Sequence, residues 1–435
     1  MAMADARAED LGPAPGTDSR GRLLTSDGTP LRRALERSMR RRKLTALALV
    51  APLLAFILIF FAFPIAQMMW RSVDNPQIVN ALPRTLDALQ DWDGTTIPDE
   101  PVFAALHADM MEDLDRARRQ QTIGPLAVRL NYEISAARGA ISRTSRAVPN
   151  FEAPFKDDFL DAHRLWGQPE LWRVIKREGR PLTASYYVAA LDREYDAEGN
   201  IVRRDENRRL YVPLFGRTLA LSVAITVLTF ALGFPIAYYL STLPMRYANL
   251  LMIAVLLPFW TSLLVRTSAW IVLLQQQGVI NTTLVTLGFI DDGNRLSLIY
   301  NQTGTIIAMT HILLPFMVLP LYSVMRTIPP TYMRAAKSLG ATPWTAFRRV
   351  YFPQTLPGIG AGGVLVFIIS IGYYITPALV GGQSGRMISN EIARHIQQSL
   401  NWGLAAALGT MLLIGVLILY WLFNRLVGSD SLKFG

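Results

Sequence analysis

Windows of roughly twenty apolar residues recur along this chain, and a helix of that length spans the hydrocarbon of a bilayer. Six can be drawn: Leu44–Trp70, Thr218–Leu243, Ala248–Leu274, Gly304–Met325, Gly358–Val380 and Trp402–Phe423. Their runs are continuous rather than alternating, so the way to satisfy their backbone groups in lipid is the helix. The expectation is an all-α transmembrane protein of about six membrane-spanning helices, with one large insertion after the first. The boundaries that follow are a tail and basic membrane-entry segment at 1–43, a first span at 44–70, an insertion at 71–213, a five-helix core at 214–425 and a tail at 426–435.

Charge sets the direction of threading. Arg33, Arg37, Arg40, Arg41, Arg42 and Lys43 lead directly into the first span, which keeps the N-terminus cytoplasmic and sends 71–213 outside. An even number of spans returns the C-terminus to the cytoplasm. The basic run arrives too late, and the apolar run is too long, for a signal peptide. Residues 1–30, rich in Ala, Gly, Pro, Asp and Ser, are expected to be disordered. The net charge of +10, from 43 basic and 33 acidic residues, is explained by anionic lipid and cytoplasmic topology without a nucleic-acid partner. Cysteine is absent and the four histidines are scattered, so no thiolate chemistry or metal-ligand spacing is present.

Mixed charges give the insertion the character of a folded soluble face. Phe103, Leu106, Met110 and Leu114 recur on one side of a helix expected over Pro101–Gln120. A second is expected within Phe159–Glu178 around Leu165, Trp166, Leu171, Trp172 and Ile175. Tyr186–Leu191 and Leu210–Leu214 suit strands, with a turn at Gly199-Asn200 between them. Asp157, Asp158, Asp161 and His163 are close in sequence but match no metal or nucleophile pattern, and read as a solvated acidic face. No catalytic residue is assigned anywhere in the chain.

Between the fourth and fifth spans lies Tyr332–Pro357, YMRAAKSLGATPWTAFRRVYFPQTLP. It reads as two short helices broken at Gly340, with Thr342 as cap and Pro343 in the first turn of the second. Ala335 and Ala336 let another surface approach their backbone, while Arg334, Lys337, Arg348 and Arg349 hold the segment on the cytoplasmic side. These features describe a docking element.

The stretch resembles the cytoplasmic coupling loop of permease subunits in binding-protein-dependent ABC importers, whose pattern is Glu-Ala-Ala, three residues, Gly, nine residues, then Ile-x-Leu-Pro. Ala335, Ala336, Gly340, Val350, Phe352 and Pro353 occupy the corresponding positions, and Arg334 stands where the family has Glu. The local string PFWTSLLVRTSAW, 258–270, is similar to permeases of the spermidine and putrescine type. The resemblance implies a bacterial inner-membrane, multi-pass permease that performs no catalysis itself. Its loop 326–357 would dock on an ABC ATPase dimer through Arg334, Ala335, Ala336, Gly340, Arg348, Val350, Phe352 and Pro353. It further implies a second permease, related but not identical, and an extracytoplasmic solute-binding protein. The chain has no G-x-x-x-x-G-K-S/T loop to cradle phosphates, and the resemblance puts ATP and Mg on the partner ATPases, with no cofactor on this chain.

Trp260, Arg266, Trp270, Tyr373 and Tyr374 are candidates for the translocation path, the aromatic faces being suited to ammonium groups. Arg266, inside a span, must snorkel, pair or face a wet cavity. Polyamine is the leading solute; amino acids, opines, phosphonates and ferric ions stay open. From the residues alone a gradient-driven transporter using His311 and Arg266, or a scaffold that binds a partner through its insertion, also stays open.

Overall fold

The computed structural model describes residues 31–117, 120–196 and 198–427. Residues 1–30, and 428–435 of the expected C-terminal tail, lie outside the described residues. Five helices among the described residues are long and apolar enough to cross a membrane, and a sixth span is made if one sharply bent pair counts as one. The fold is all-α apart from one small hairpin.

The chain divides into two units, 1–68 and 69–435. The first contains the helix Leu31–Ile57, which passes through a widened turn at Leu58–Ala62 before Phe63–Arg71 begins. Phe63 N–H reaches back five residues to Leu58 O. Pro64 follows at once, and its ring would clash with the carbonyl four residues earlier in a regular helix; the wide turn relieves that clash.

In the second unit, the spans Tyr211–Thr242, Gln302–Thr327 and Pro343–Gly372 pack around a core that includes Ile225, Ala237, Met309, Met317 and Val366. Glycines at 358 and 362 make this approach possible. A Cβ on Gly362 would stand 2.8 Å from Met317 Sδ, and one on Gly358 3.2 Å from Pro320 O. Gly363, next to Gly362, has open space beside it. The fifth span ends at Gly372 rather than Val380, because Tyr373 leaves helical geometry and a short helix, Ile375–Val380, restarts beyond it.

The expected span Ala248–Leu274 is bent into an elbow. Met245–Trp260 and Leu263–Thr286 meet at 95°. Pro258 lacks a donor and sits in the tightened turn Leu257–Trp260, after which Thr261 is extended (ψ 145°).

The insertion is a helical bundle with its own core, in which Phe103, Leu106, Met110, Leu165, Trp166, Leu171, Trp172 and Ile175 are all buried. Its acids work at helix ends. Asp109 accepts from Thr85 N–H (2.9 Å), Asp113 from Thr122 and Ile123 N–H (2.6 and 3.2 Å), and Glu100 from Phe155 and Lys156 N–H (2.6 and 2.9 Å). Asp192 accepts from Leu210, Tyr211 and Val212 N–H (3.0, 3.0 and 2.7 Å), closing the start of the second span. Each carboxylate thus fills donors that a helix leaves open and lies against its positive end. Burial pushes the Asp109 carboxyl above its ordinary range despite these bonds. The group Asp157, Asp158, Asp161 and His163 is local in its bonding: Asp158 accepts from Glu152 N–H (2.8 Å) and His163 from Leu165 N–H (3.1 Å).

Two strand expectations fail. Tyr186–Leu191 is largely the helix Ser185–Ala190, and Leu210–Leu214 opens the second span. The strands are Arg193–Tyr195 and Ile201–Arg203, paired antiparallel about the expected turn at Gly199-Asn200. At the centre of the bundle Arg129, 2% exposed, bonds Glu178 (2.7 Å), Glu133 (2.9 Å) and Asn75 (3.1 Å).

A hydrogen-bonded chain joins the insertion to the core. Tyr132 Oη donates to Ser399 O (2.7 Å), Ser399 Oγ meets His395 Nδ1 (2.8 Å), and His395 Nε2 meets Tyr211 Oη (3.0 Å). Beside it the Tyr186 ring fills the space a side chain at 403 would need: a Cβ on Gly403 would lie 2.3 Å from that ring. Burial, aided by Arg394 and opposed by Glu391, pushes His395 down to about 4. A base whose folded value is depressed favours the folded state above its unfolded value, and that stability drains as pH falls from 6.5 towards 4. The loss amounts to about 3 kcal/mol for one such site. The thermal midpoint of purified protein is therefore expected to fall between pH 7 and pH 5 by more in the wild type than in His395→Gln; equal slopes would remove His395 as the cause.

Candidate functional site: the loop between the fourth and fifth spans

The loop's backbone follows from three residues. The helix Pro330–Ser338 stops because Gly340 adopts φ +85°. Ala341 N–H then reaches Ala336 O (3.1 Å) and Gly340 N–H reaches Lys337 O (3.0 Å), the paired bonds of a left-handed helix stop. Thr342 Oγ1 accepts from Thr345 N–H (3.2 Å), and Pro343 opens the next helix. The loop is therefore a preset hairpin. Nothing lies within 4 Å of a Cβ built on Gly340, so Gly340→Ala carries only the backbone cost, about 1 kcal/mol. It is expected to speed proteolysis at 338–342 while leaving the spans inserted; unchanged cleavage would show that the stop does not depend on glycine.

Arg334, Ala335, Gly340, Arg348 and Pro353 are exposed on this hairpin, and Ala336, Val350 and Phe352 are half-buried. The ladder of rings that ties the hairpin to the membrane helices escaped the sequence reading. Trp344, 68% exposed, stacks on Phe347 (5.8 Å, 18°), and Phe347 stacks on Tyr351 (5.7 Å, 23°). Phe347 also meets Phe234 and Tyr238 of the second span edge-on (6.2 and 5.9 Å), and Phe234 touches Phe352 (5.8 Å). The i, i+4 aromatic pairs Phe234/Tyr238 and Phe347/Tyr351 were the available signal. Phe347–Tyr351 is a widened turn in which Phe352 N–H bonds Phe347 O, followed by Pro353. The first span uses the same device before Pro64.

The path candidates separate into two groups. Arg266 is a clamp on the elbow: its guanidinium donates to Pro258 O, and to Thr261 O at 3.0 Å, pairing a cation with the carbonyls at a helix end. Trp270 Nε1 donates to His311 Nδ1 (3.2 Å), and Thr267 meets Thr376 (3.2 Å), three residues after Tyr373. Trp270 is thus paired with His311, while Arg266 on the same helix is spent on the elbow. Trp260 is 74% exposed and Tyr374, at the entry to Ile375–Val380, is 38% exposed; among the described residues neither stacks on another ring. Among the described residues no group of His, Asp and Glu side chains gathers to hold a metal ion.

The family described as "Binding-protein-dependent transport system inner membrane component" matches residues 214–428. The spermidine/putrescine transport system permease protein PotB of Haemophilus influenzae is 34% identical over 221 residues, covering 50% of this chain and 77% of that protein. PotB of Escherichia coli is 33% identical over 223 residues, 51% of this chain and 80% of its own length. The inner membrane ABC transporter permease protein YdcU of Escherichia coli is 35% identical over 229 residues, 49% of this chain and 71% of its own.

Proposed function

Since this chain belongs to the binding-protein-dependent transport system inner membrane components, and is an ABC importer permease of the inner membrane, we propose that its solute is a polyamine such as spermidine or putrescine. The observation that carries this reading is the 34% identity over 221 residues to a spermidine/putrescine permease. Solute arrives from an extracytoplasmic binding protein and passes between this chain and a second, related permease. ATP is hydrolysed on a separate ATPase dimer that docks on loop 326–357. Both termini then face the cytoplasm, and the insertion 71–213 faces the binding protein.

Mechanically, closure of the ATPases on nucleotide pulls the docked hairpins together. Phe347 passes that displacement to the second span, and the spans exchange one open side for the other. Arg266, Trp270 and Tyr373 are the residues proposed to lie along the path that changes face. Few acids occur in the spans, which leaves solute selection to the binding protein and a weaker passage to the permease.

The test is mass spectrometry of the complex recovered with this chain from native membranes in mild detergent, followed by binding assays on the recovered binding protein. Stoichiometric ATPase together with capture of spermidine or putrescine is expected. Capture of other solutes alone would reject the polyamine assignment, and repeated recovery of this chain without an ATPase would reject the subunit arrangement.

A further inference from the structure

The hairpin carries an unusual combination of charge and exposure. From Pro330 to Tyr351 the sequence contains no Asp or Glu. Arg326, just before it, spends its guanidinium on Ser241 O and Leu243 O (2.9 and 3.2 Å) at the end of the second span. Arg334, Lys337, Arg348 and Arg349 are exposed, and among the described residues none has an ion pair or a side-chain hydrogen bond. Three apolar side chains stand out among these cations: Leu339 at 89% exposure, Trp344 at 68% and Tyr332 at 50%. Leu339 caps the helix through its backbone N–H, which bonds Ala335 O (3.0 Å), while the stop's other bonds run through Ala336, Lys337, Gly340 and Ala341 and leave its side chain outside. It sits at the point where the chain turns.

We propose that this hairpin is a cationic plug for an acidic surface of the partner ATPase, with Leu339 seated in an apolar pocket on that surface and Trp344 covering its rim. The inference rests on the reading of the loop as the ATPase-docking element. It adds the chemistry of the partner: carboxylates where the hairpin presents Arg334 and Lys337, around a cavity of leucine size. Charge complementarity selects such a surface, since four unpaired cations repel a basic or neutral-basic groove and speed encounter with an acidic one. Preset geometry favours a protein over lipid headgroups. The stop at Gly340 and the Thr342 cap fix the spacing of the cations on the two arms, whereas a fluid anionic bilayer imposes no spacing to match. The Arg in the Glu position of the coupling-loop pattern fits this reading, because it completes a surface of one sign.

The experiment uses the full chain with its co-purified ATPase in nanodiscs of phosphatidylcholine, and in a second set containing phosphatidylglycerol. Retained ATPase is quantified from about 50 mM to about 500 mM salt, across which screening of exposed charges becomes nearly complete. Wild type is expected to lose ATPase by about fivefold or more over this range. The double variant Arg334→Glu/Lys337→Glu is expected to hold about tenfold less at low salt and to lose the salt dependence. Leu339→Ala is expected to hold about tenfold less at every salt, with the wild-type slope. Full retention by the double variant would overturn the acidic-surface inference and leave the docking reading standing. An effect of the reversal confined to phosphatidylglycerol discs would overturn it in favour of lipid. Wild-type chain that holds no ATPase at any salt in either disc would instead bring down the functional reading beneath it.

Discussion

Alanine at Phe347 is expected to leave the ATPase bound and to abolish most solute uptake. The ring lies between the exposed Trp344 and the second-span residues Phe234 and Tyr238, and touches Tyr351 and Phe352 as well. Truncating a packed Phe costs about 3 kcal/mol or more in a closed core, and each lost ring pair about 1 kcal/mol beyond its area. Phe347 is half-buried, so the hairpin should stay folded on its own backbone bonds yet slide against the span. Uptake by proteoliposomes is expected to fall about tenfold or more while ATP hydrolysis falls little, raising the ATP consumed per solute. Phe347→Leu should recover part of the uptake. A proportional fall in both activities would mean that the ring supports docking rather than transmission.

The second large effect lies in the insertion. Arg129→Met leaves Glu178, 1% exposed, without its closest cation. Breaking a buried pair in this way costs about 3–5 kcal/mol, whereas exchanging both partners for apolar residues of similar size costs far less. The bundle in Arg129→Met is expected to melt well below the rest of the protein, and Arg129→Met/Glu178→Leu to recover most of the loss. A double variant as unstable as the single would show that Glu133, Asn75 and Tyr186, which also meet Arg129, carry the effect. pH provides an independent check. Burial alone raises the Glu178 carboxyl, but Arg129, Ser185 and Arg177 outweigh it and hold it below the ordinary glutamate range. A depressed acid stabilises the fold above its unfolded value and loses that contribution as pH falls through the folded one. The wild-type insertion should therefore weaken in acid below about pH 4.5, and the double variant should lack that component.

Features set by neighbouring residues were legible in the sequence. Gly340, Thr342 and Pro343 specify the hairpin because a positive φ, a cap and a missing N–H are local requirements. The apolar period of Phe103, Leu106 and Met110 likewise marked a buried helix face. It failed at Leu114, which is 37% exposed, because Asp113 takes the inward position to close another helix. Features set by distant partners were not legible. Hydropathy runs unbroken through the elbow, and its bend depends on Pro258, an extended Thr261 and a side-chain clamp from Arg266. The Tyr and Val of 186–191 favour a strand in isolation, yet the segment is helical where Tyr186 packs with Tyr211, Leu404 and Leu408. Arg129 and Glu178 are 49 positions apart, and their pairing leaves no mark on either local sequence.

The Tyr186 ring resting where a side chain at Gly403 would stand has a consequence for exchanging parts between subunits. An importer subunit without this insertion has no ring to accommodate and is free to carry alanine or larger at that point of its last helix. Grafting the insertion onto a relative that carries a side chain at this point is therefore expected to succeed only with glycine placed there, whereas deleting the insertion from this chain leaves Gly403 tolerated as it is.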